Sequence, residues 1–431
     1  MFDDAGVAVR FGEYMGHLRR CLGHGRRHDP FEAYCRGLMV TRGRKSVEPM
    51  AAHLEPDRVS AAHQSLMHIV SQSNWSDDRV LAAVRAYVVP KLQVHGPIRA
   101  WIVDDTGMPK KGRHSVGVAR QYCGQSGKRD NCQVAVSLSV ATNEASLPVA
   151  WRLYLPESWS GDGIRCSQAH VPEDIAFKTK PVIAMEQITA ACEAGIPPGV
   201  VLMDAAYGEA GYLRQKIHDL ELYYSVNVTS RNAVWRAGET PEVPPKKPGR
   251  GGKPVRLRRA DGSGPMSVRE LALSLDETAW RTVAWREGTN ARLESRFAAV
   301  RVHHAHHHVE ARELARQEWL LIEWPEGEAE PVKYWLSNLP EDILLEDLVE
   351  VTMMRWRIER DYQELKQELG LGHFEGRSWR GFHHHATLCI AAYGFLIAER
   401  AAFSPSRSQT AGPAIQKSAI PDNYHPRGAP A

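Results

Sequence analysis

The hydrophobic period of this chain changes once, near residue 95, and that change restricts the folds open to it. Before it, apolar residues recur at helical spacing. Ser76-Asp77-Asp78 offers an N-cap ahead of Val80, Leu81, Val84, Tyr87 and Val88, a stripe expected to stop at Pro90, and Asp29-Pro30 offers another helix start. After it come IRAWIVDD (98 to 105), SVGVARQY (115 to 122), NCQVAVSLSVA (131 to 141) and PVAWRLYLP (148 to 156), separated by Gly and Lys turns. These runs predict a meander of three or four sequential strands. A helix is expected from Thr179-Lys180-Pro181 to Gly195, then a strand in VVLMDAAYG (200 to 208), a helix over GEAGYLRQKIHDL and a strand in YYSVNVT. That alternation predicts a mixed sheet covered by helices, with ligands at the carboxyl ends of its central strands.

The totals exclude several classes. The 431 residues carry 54 basic and 51 acidic side chains, a net charge of +3, so any nucleic-acid surface must be a local patch. Seven scattered Cys with no CxxC argue against a disulfide framework and a Cys-based zinc site. The N-terminus lacks the basic-then-apolar pattern of a signal peptide. LCIAAYGFLIA (388 to 398) is too short to span a bilayer and is expected to be a buried helix. A cytoplasmic protein with no membrane partner is expected.

Asp104 and Asp105 close the first strand run, and Asp204 closes VVLMD. An Asp before Thr-Gly is ordinary turn chemistry, and adjacent like charges repel. Further along, a long helix is expected from Glu346-Asp347 through RWRIERDYQELKQELG to Gly370. On it Arg355, Glu359, Tyr362 and Lys366 fall at i, i+4, i+7 and i+11, along one stripe. Charged stripes are commonly solvated faces. Two strand-end Asp and one helix Glu brought to one end of a sheet would instead form an all-oxygen site suited to hard divalent ions such as Mg²⁺ or Mn²⁺. A cation between neighbouring carboxylates removes the cost of their repulsion.

Three blocks then carry a resemblance: DDTGMPKKGRHSVGVARQYCGQSGKRDNCQVAVSL (104 to 138), VLMDAAYGEAGYL (202 to 214) and RWRIERDYQELKQELGLGHFEGRSWRGFHHH (355 to 385). In order and content they are similar to the DDE-type transposases of bacterial insertion sequences, in the retroviral-integrase-like superfamily, and to the branch whose third block has an R-E-K signature. The resemblance implies an α/β, RNase H-like mixed sheet with flanking helices, interrupted by a β-rich insertion, plus an N-terminal helical domain. It assigns Asp105, before Thr106, as first acid in preference to Asp104, Asp204 as second and Glu359 as third, all three catalytic and metal-ligating. Arg355 and Lys366 match the signature's flanking cations, and Thr352 stands where its tyrosine would.

The implied domains are residues 1–95, helical and DNA-binding; 96–230 with 346–403, the catalytic core; 231–345, the insertion; and 404–431, a disordered tail. Lys110, Lys111, Arg113, Arg120 and Lys128 surround the first acid, and Lys110, Lys111, Arg120, Lys128, Arg355 and Lys366 are the expected DNA contacts. Lys246, Lys247, Arg250, Lys253, Arg256, Arg258 and Arg259 form a second basic run without an acid, equally compatible with a solvated linker. His303, His304, His306, His307 and His308 are expected to alternate between strand faces, and His383 to His385 to pack or touch phosphate; neither group is expected to bind zinc. The six Trp of the insertion region (235, 280, 285, 319, 324, 335) are expected to be mostly core.

The function so implied is a transposase that binds its element's terminal inverted repeats as a homo-oligomer, near the bacterial nucleoid. It would cut and join double-stranded DNA by a two-metal mechanism with Mg²⁺, or Mn²⁺ as substitute, and no small-molecule substrate. The alternatives are a catalytically idle DNA-binding descendant, or a nuclease of the same core without strand transfer.

Overall fold

The computed structural model describes residues 5–245, 256–287, 292–305 and 313–403. The chain forms two compact units, one from the residues up to Gly199 together with the chain from Trp356, the other from Val200–Arg355.

The first unit opens with helices α1 (Ala5–Arg19), α2 (His28–Val40), α3 (Val47–Leu54), α4 (Val59–Ser71) and α5 (Asp77–Gln93). Ser76 caps α5 by accepting from the Arg79 amide. The helix does not stop at Pro90 but continues to Gln93, a turn that buries Leu92. Strands β1 (Ala100–Pro109), β2 (Ala119–Cys123), β3 (Lys128–Ala141) and β4 (Ser146–Leu153) follow. They are not a simple meander. The long β3 pairs antiparallel with β1 along one edge, while β2 and then β4 share its other edge. Pairing of β1 with β3 rather than β2 is a non-local choice that the alternation within each strand does not encode. Two short helices, α6 (Glu157–Ser160) and α7 (Gly163–Gln168), lead to α8 (Lys180–Glu193), which packs on β3 and β4.

The second unit begins with β5 (Val200–Met203), then α9 (Ala205–Gly208), α10 (Gly211–Asp219) and β6 (Tyr224–Val228), a right-sized crossover between parallel neighbours. Next come β7 (Ala233–Arg236), β8 (Met266–Ser267), α11 (Val268–Leu273), β9 (Arg281–Glu287), β10 (Arg292–His304), β11 (Gln317–Trp324), β12 (Lys333–Ser337) and α12 (Leu345–Met353). The β-rich segment continues the sheet: β12 pairs antiparallel with β6, followed by β11, β10, β7 and β8, with β9 also on β10. Its tryptophans serve this unit's packing. Trp235 and Trp335 are buried, Trp280 meets Trp324 edge-on at 5.2 Å, Trp285 meets Phe297 at 5.6 Å, and Trp319 donates to the Pro340 carbonyl. Antiparallel pairs such as β1 with β3, a parallel pair of β5 with β6, and flanking helices place the protein in the mixed α/β class that an RNase H-like fold requires.

The single helix expected over 346 to 370 is two. α12 ends at Met353, Met354 and Arg355 form a turn, and α13 runs from Trp356 to Gln367. Each half has its own apolar stripe and its own partner. α12 buries Leu348, Val349 and Val351 in the second unit, whereas α13 buries Ile358, Tyr362 and Leu365 against β4 and β1 of the first. The final helix, α14 (Trp379–Phe403), is longer than the apolar run that announced it and by length and composition could cross a bilayer. It is a core helix here: α5, α2, α4 and β4 all pack on it.

Candidate active site

Strand β1 is apolar until it reaches the acids. Trp101, Ile102 and Val103 are fully buried, and Asp104 and Asp105 are half-buried. Side chains alternate along a strand, so the two carboxylates leave on opposite faces. Cross-strand partners share a face. Asp104 lies opposite Ser137, whose hydroxyl is 2.7 Å from the Tyr362 hydroxyl on α13. Asp105 lies opposite Val136, whose carbonyl accepts from Gln187 of α8. Accordingly the Lys180 ammonium, in the first turn of α8, sits 3.0 Å from Asp105 Oδ2. The Asp105 amide also donates to Asp104 Oδ1 at 2.7 Å, which fixes the Asp104 side chain against its own backbone. Burial pushes the Tyr362 hydroxyl well above the usual phenol range, and the charges of Asp104 and Asp105 push the same way.

Glu359 stands exposed in the first turn of α13. Two residues on, Asp361 points inward, where it accepts hydrogen bonds from Ser146 (2.6 Å) and from Tyr393 of α14 (2.9 Å). Burial raises its pKa to about 6. These bonds and the Ser137–Tyr362 pair pin the rotation of α13 and so keep Glu359 on its outer side. Asp361 was legible in principle, because it falls in the apolar i, i+3, i+4, i+7 pattern of Ile358, Asp361, Tyr362 and Leu365. The Lys180 partner of Asp105, 75 positions away in sequence, left no local signal.

Asp204 belongs to the second unit. It caps α9, its Oδ1 accepting from the amides of Ala206 (3.0 Å) and Tyr207 (3.4 Å), a favourable place for a carboxylate at the end of a strand. Gly208 closes the same short helix against β6: a Cβ there would lie 2.0 Å from the Asn227 carbonyl oxygen. Thr352, at the place of the signature tyrosine, is buried with its hydroxyl 2.7 Å from that of Ser225. It is a packing residue.

The expected DNA contacts divide by accessibility. Lys111, Arg120 and Lys128 are exposed, Arg355 lies in the turn between α12 and α13, and two lysines are turned to backbone carbonyls. Lys110 donates to Phe374 O at 2.7 Å, with burial pushing its pKa down to about 8, and Lys366 donates to Gly107 O at 2.8 Å, its pKa also lowered by burial. Gly107 itself has no room for a side chain, since a Cβ would meet Cys123 Sγ at 2.6 Å. In the second basic run, Arg259 binds Glu239 and lies 4.9 Å above the Trp235 ring, and Arg258 is bridged through its backbone to Glu242. Lys246, Lys247, Arg250 and Lys253 lie outside the described residues, as do His306, His307, His308 and residues 404–431.

In these two clusters the described histidines pack or bond to backbone carbonyls. His303 bonds the Ala315 carbonyl. His383 bonds the Trp379 carbonyl, His384 stacks on Trp75 at 3.7 Å and bonds its carbonyl, and His385 sits between Gly370 O and the Tyr34 hydroxyl. Among the described residues no group of three or more His, Cys, Asp or Glu is arranged to hold a metal ion. The donor chemistry at Asp105 nevertheless suits a hard cation: its carboxylate already faces the positive charge of Lys180.

Residues 17–292 match the family described as DDE superfamily endonuclease, a span that contains Asp105 and Asp204 and ends before Glu359. The chain is also 30% identical over 172 residues to a probable transposase for insertion sequence element IS701 of Microchaete diplosiphon. That similarity covers 40% of this chain and 42% of the relative, less than half of the relative's length.

Proposed function

The chain belongs to the DDE superfamily endonucleases, and from that premise we propose that it is a transposase that recognises the terminal inverted repeats of an insertion sequence and cuts and joins DNA strands there. Asp105, Asp204 and Glu359 are its catalytic carboxylates. The observation that carries the assignment is the family match over residues 17–292, a span holding Asp105 and Asp204, together with the position of Asp105 at the half-buried end of a buried strand.

The three carboxylates would hold the divalent ions, Mg²⁺ or in its place Mn²⁺, which would activate the attacking oxygen and stabilise the leaving one. The protein's own groups do the positioning. Lys180 neutralises Asp105 until substrate and cation arrive. Lys366, through the Gly107 carbonyl, and Lys110, through its bond to the Phe374 carbonyl, anchor the backbone beyond Asp105, while Lys111, Arg120, Lys128 and Arg355 would furnish the positive charge that a phosphate backbone requires. In the first reaction water displaces the 3′-oxygen of a phosphodiester, leaving a 3′-hydroxyl. In the second that hydroxyl attacks a target phosphodiester, conserving the bond count. Two ends must be joined in one event, which calls for two protomers.

The test is cleavage of DNA carrying the element's ends, in Mg²⁺ or Mn²⁺, by the wild type and by Asp105→Ala, Asp204→Ala and Glu359→Ala. Each substitution is expected to abolish nicking while end binding in a gel shift persists. Unimpaired nicking by any variant removes that residue from the site. Nicked but never joined products would make the protein a nuclease alone, and binding without nicking in either metal an idle descendant.

A further inference from the structure

The β2–β3 hairpin presents an exposed aromatic, Tyr122, to which the cutting site gives no role. Across it Arg120 pairs with Asn131 and Tyr122 with Arg129, so these four side chains share one face. The other face anchors the hairpin: Cys123 is fully buried, and Gln121 donates to the Cys132 carbonyl at 2.9 Å. On the outward face Arg120 and Arg129 are exposed, and Tyr122 is 59% exposed between them. Asn131 Nδ2 donates to the carbonyls of Lys110 and Gly112, which draws the basic loop with Lys111 and Arg113 to the same end of the strand. The single acid of β3's outer end, Asp130, is on the anchoring face and accepts from the Asn131 amide.

An aromatic ring held in water among cations gains nothing from the fold. It gains from a flat, apolar partner carried on a negatively charged chain. We infer that this face is a stacking platform for an unpaired DNA strand, with Tyr122 on a base and Arg120 and Arg129 on the flanking phosphates, an inference that rests on the DNA-cutting reading of the protein. Duplex DNA does not fit the ring, because its bases are already stacked on one another; an unpaired base offers its π face whatever its identity. The strand also sets the distance. Arg129 is seven residues along β3 from Val136, the partner of Asp105, an odd count that puts the platform on the sheet face away from Asp105 and, at ~3.3 Å per residue, roughly 23 Å along the strand. Its occupant is therefore an opened strand passing over that other face and not the reacting nucleotide.

The experiment uses the full chain with a fluorescein-labelled 20-nucleotide oligo(dT), a 20-base-pair duplex, and oligo(dT) carrying one 2-aminopurine. Tyr122→Ala should weaken oligo(dT) binding about 10-fold and leave the 2-aminopurine unquenched. Tyr122→Phe should keep both properties, and duplex binding should change by less than about 2-fold in either variant. Arg120→Ala should weaken both DNAs together and flatten their salt dependence. Equal losses on both DNAs for Tyr122→Ala, no loss at all, or wild-type binding to duplex but not to oligo(dT) overturns the platform and leaves the transposase reading standing. Failure of the wild type to bind either DNA overturns the transposase reading and the platform with it.

Discussion

Lys180 Nζ lies 3.0 Å from Asp105 Oδ2 and ties the first turn of α8 to β1. Both groups are partly exposed, so the pair contributes less than about 1 kcal/mol to folding. Its effect should appear in metal use. Lys180→Met removes the competing charge, and the Mn²⁺ concentration for half-maximal nicking is expected to fall, with the thermal midpoint shifted by only a few degrees. A higher metal requirement in this variant would show that Lys180 assists cation binding instead of competing with it.

The opposite exits of Asp104 and Asp105 allow them to be separated by substitution. Asp105→Asn is expected to cost nicking roughly a thousandfold, the loss of several kcal/mol of charge stabilisation. Asp104→Asn alters the α13 face and should cost less than about tenfold, a change of under 1.4 kcal/mol. Initial rates at saturating metal decide between them, and the reverse ranking would make Asp104 the ligand.

Gly208 has no room for a side chain, since a Cβ would sit 2.0 Å from the Asn227 carbonyl oxygen. Gly208→Ala must push α9 off β6. A loss of about 3 kcal/mol or more in urea unfolding is expected, together with reduced nicking, because Asp204 is the cap of the displaced helix. Wild-type stability in this variant would mean that α9 docks less closely than described.

Burial lowers His385 from 6.5 to about 4, with Tyr34, Gly370, Phe374, Lys110, His373 and Cys389 around it. Between these values the unfolded chain binds a proton that the folded chain refuses, so stability is complete above about pH 6.5 and drains away as the pH falls towards 4. For this group alone the loss at pH 5 is roughly 2 kcal/mol. Denaturant midpoints at pH 7 and pH 5 measure it, and His385→Gln should flatten the difference.

Much of this was readable from local pattern. The four β runs after residue 98, the helix starting at Lys180 and the alternation of β5, α10 and β6 each carry their own hydrophobic period, and each forms near its expected place. What was not readable depended on distant partners. Nothing in RWRIER announces the turn at Met354 and Arg355, because every residue there tolerates a helix; the break arises where two stripes serve two cores. The pairing of β1 with β3 is likewise invisible within either strand. For the candidate site, residue types together with the family resemblance proposed the acids, whereas the surrounding partners, Lys180 and the Ser146–Asp361–Tyr393 chain, come from positions far apart in sequence.

Because Asp104 and Asp105 are chemically identical neighbours, only the register of β1 on β3 tells them apart. Slipping that strand by one position would hand each carboxylate the other's surroundings while leaving the composition untouched. A single-codon insertion or deletion between Arg99 and Val103 should therefore be far more damaging than any conservative replacement in the same stretch, and natural drift in this segment would be confined to exchanges of kind, never of length.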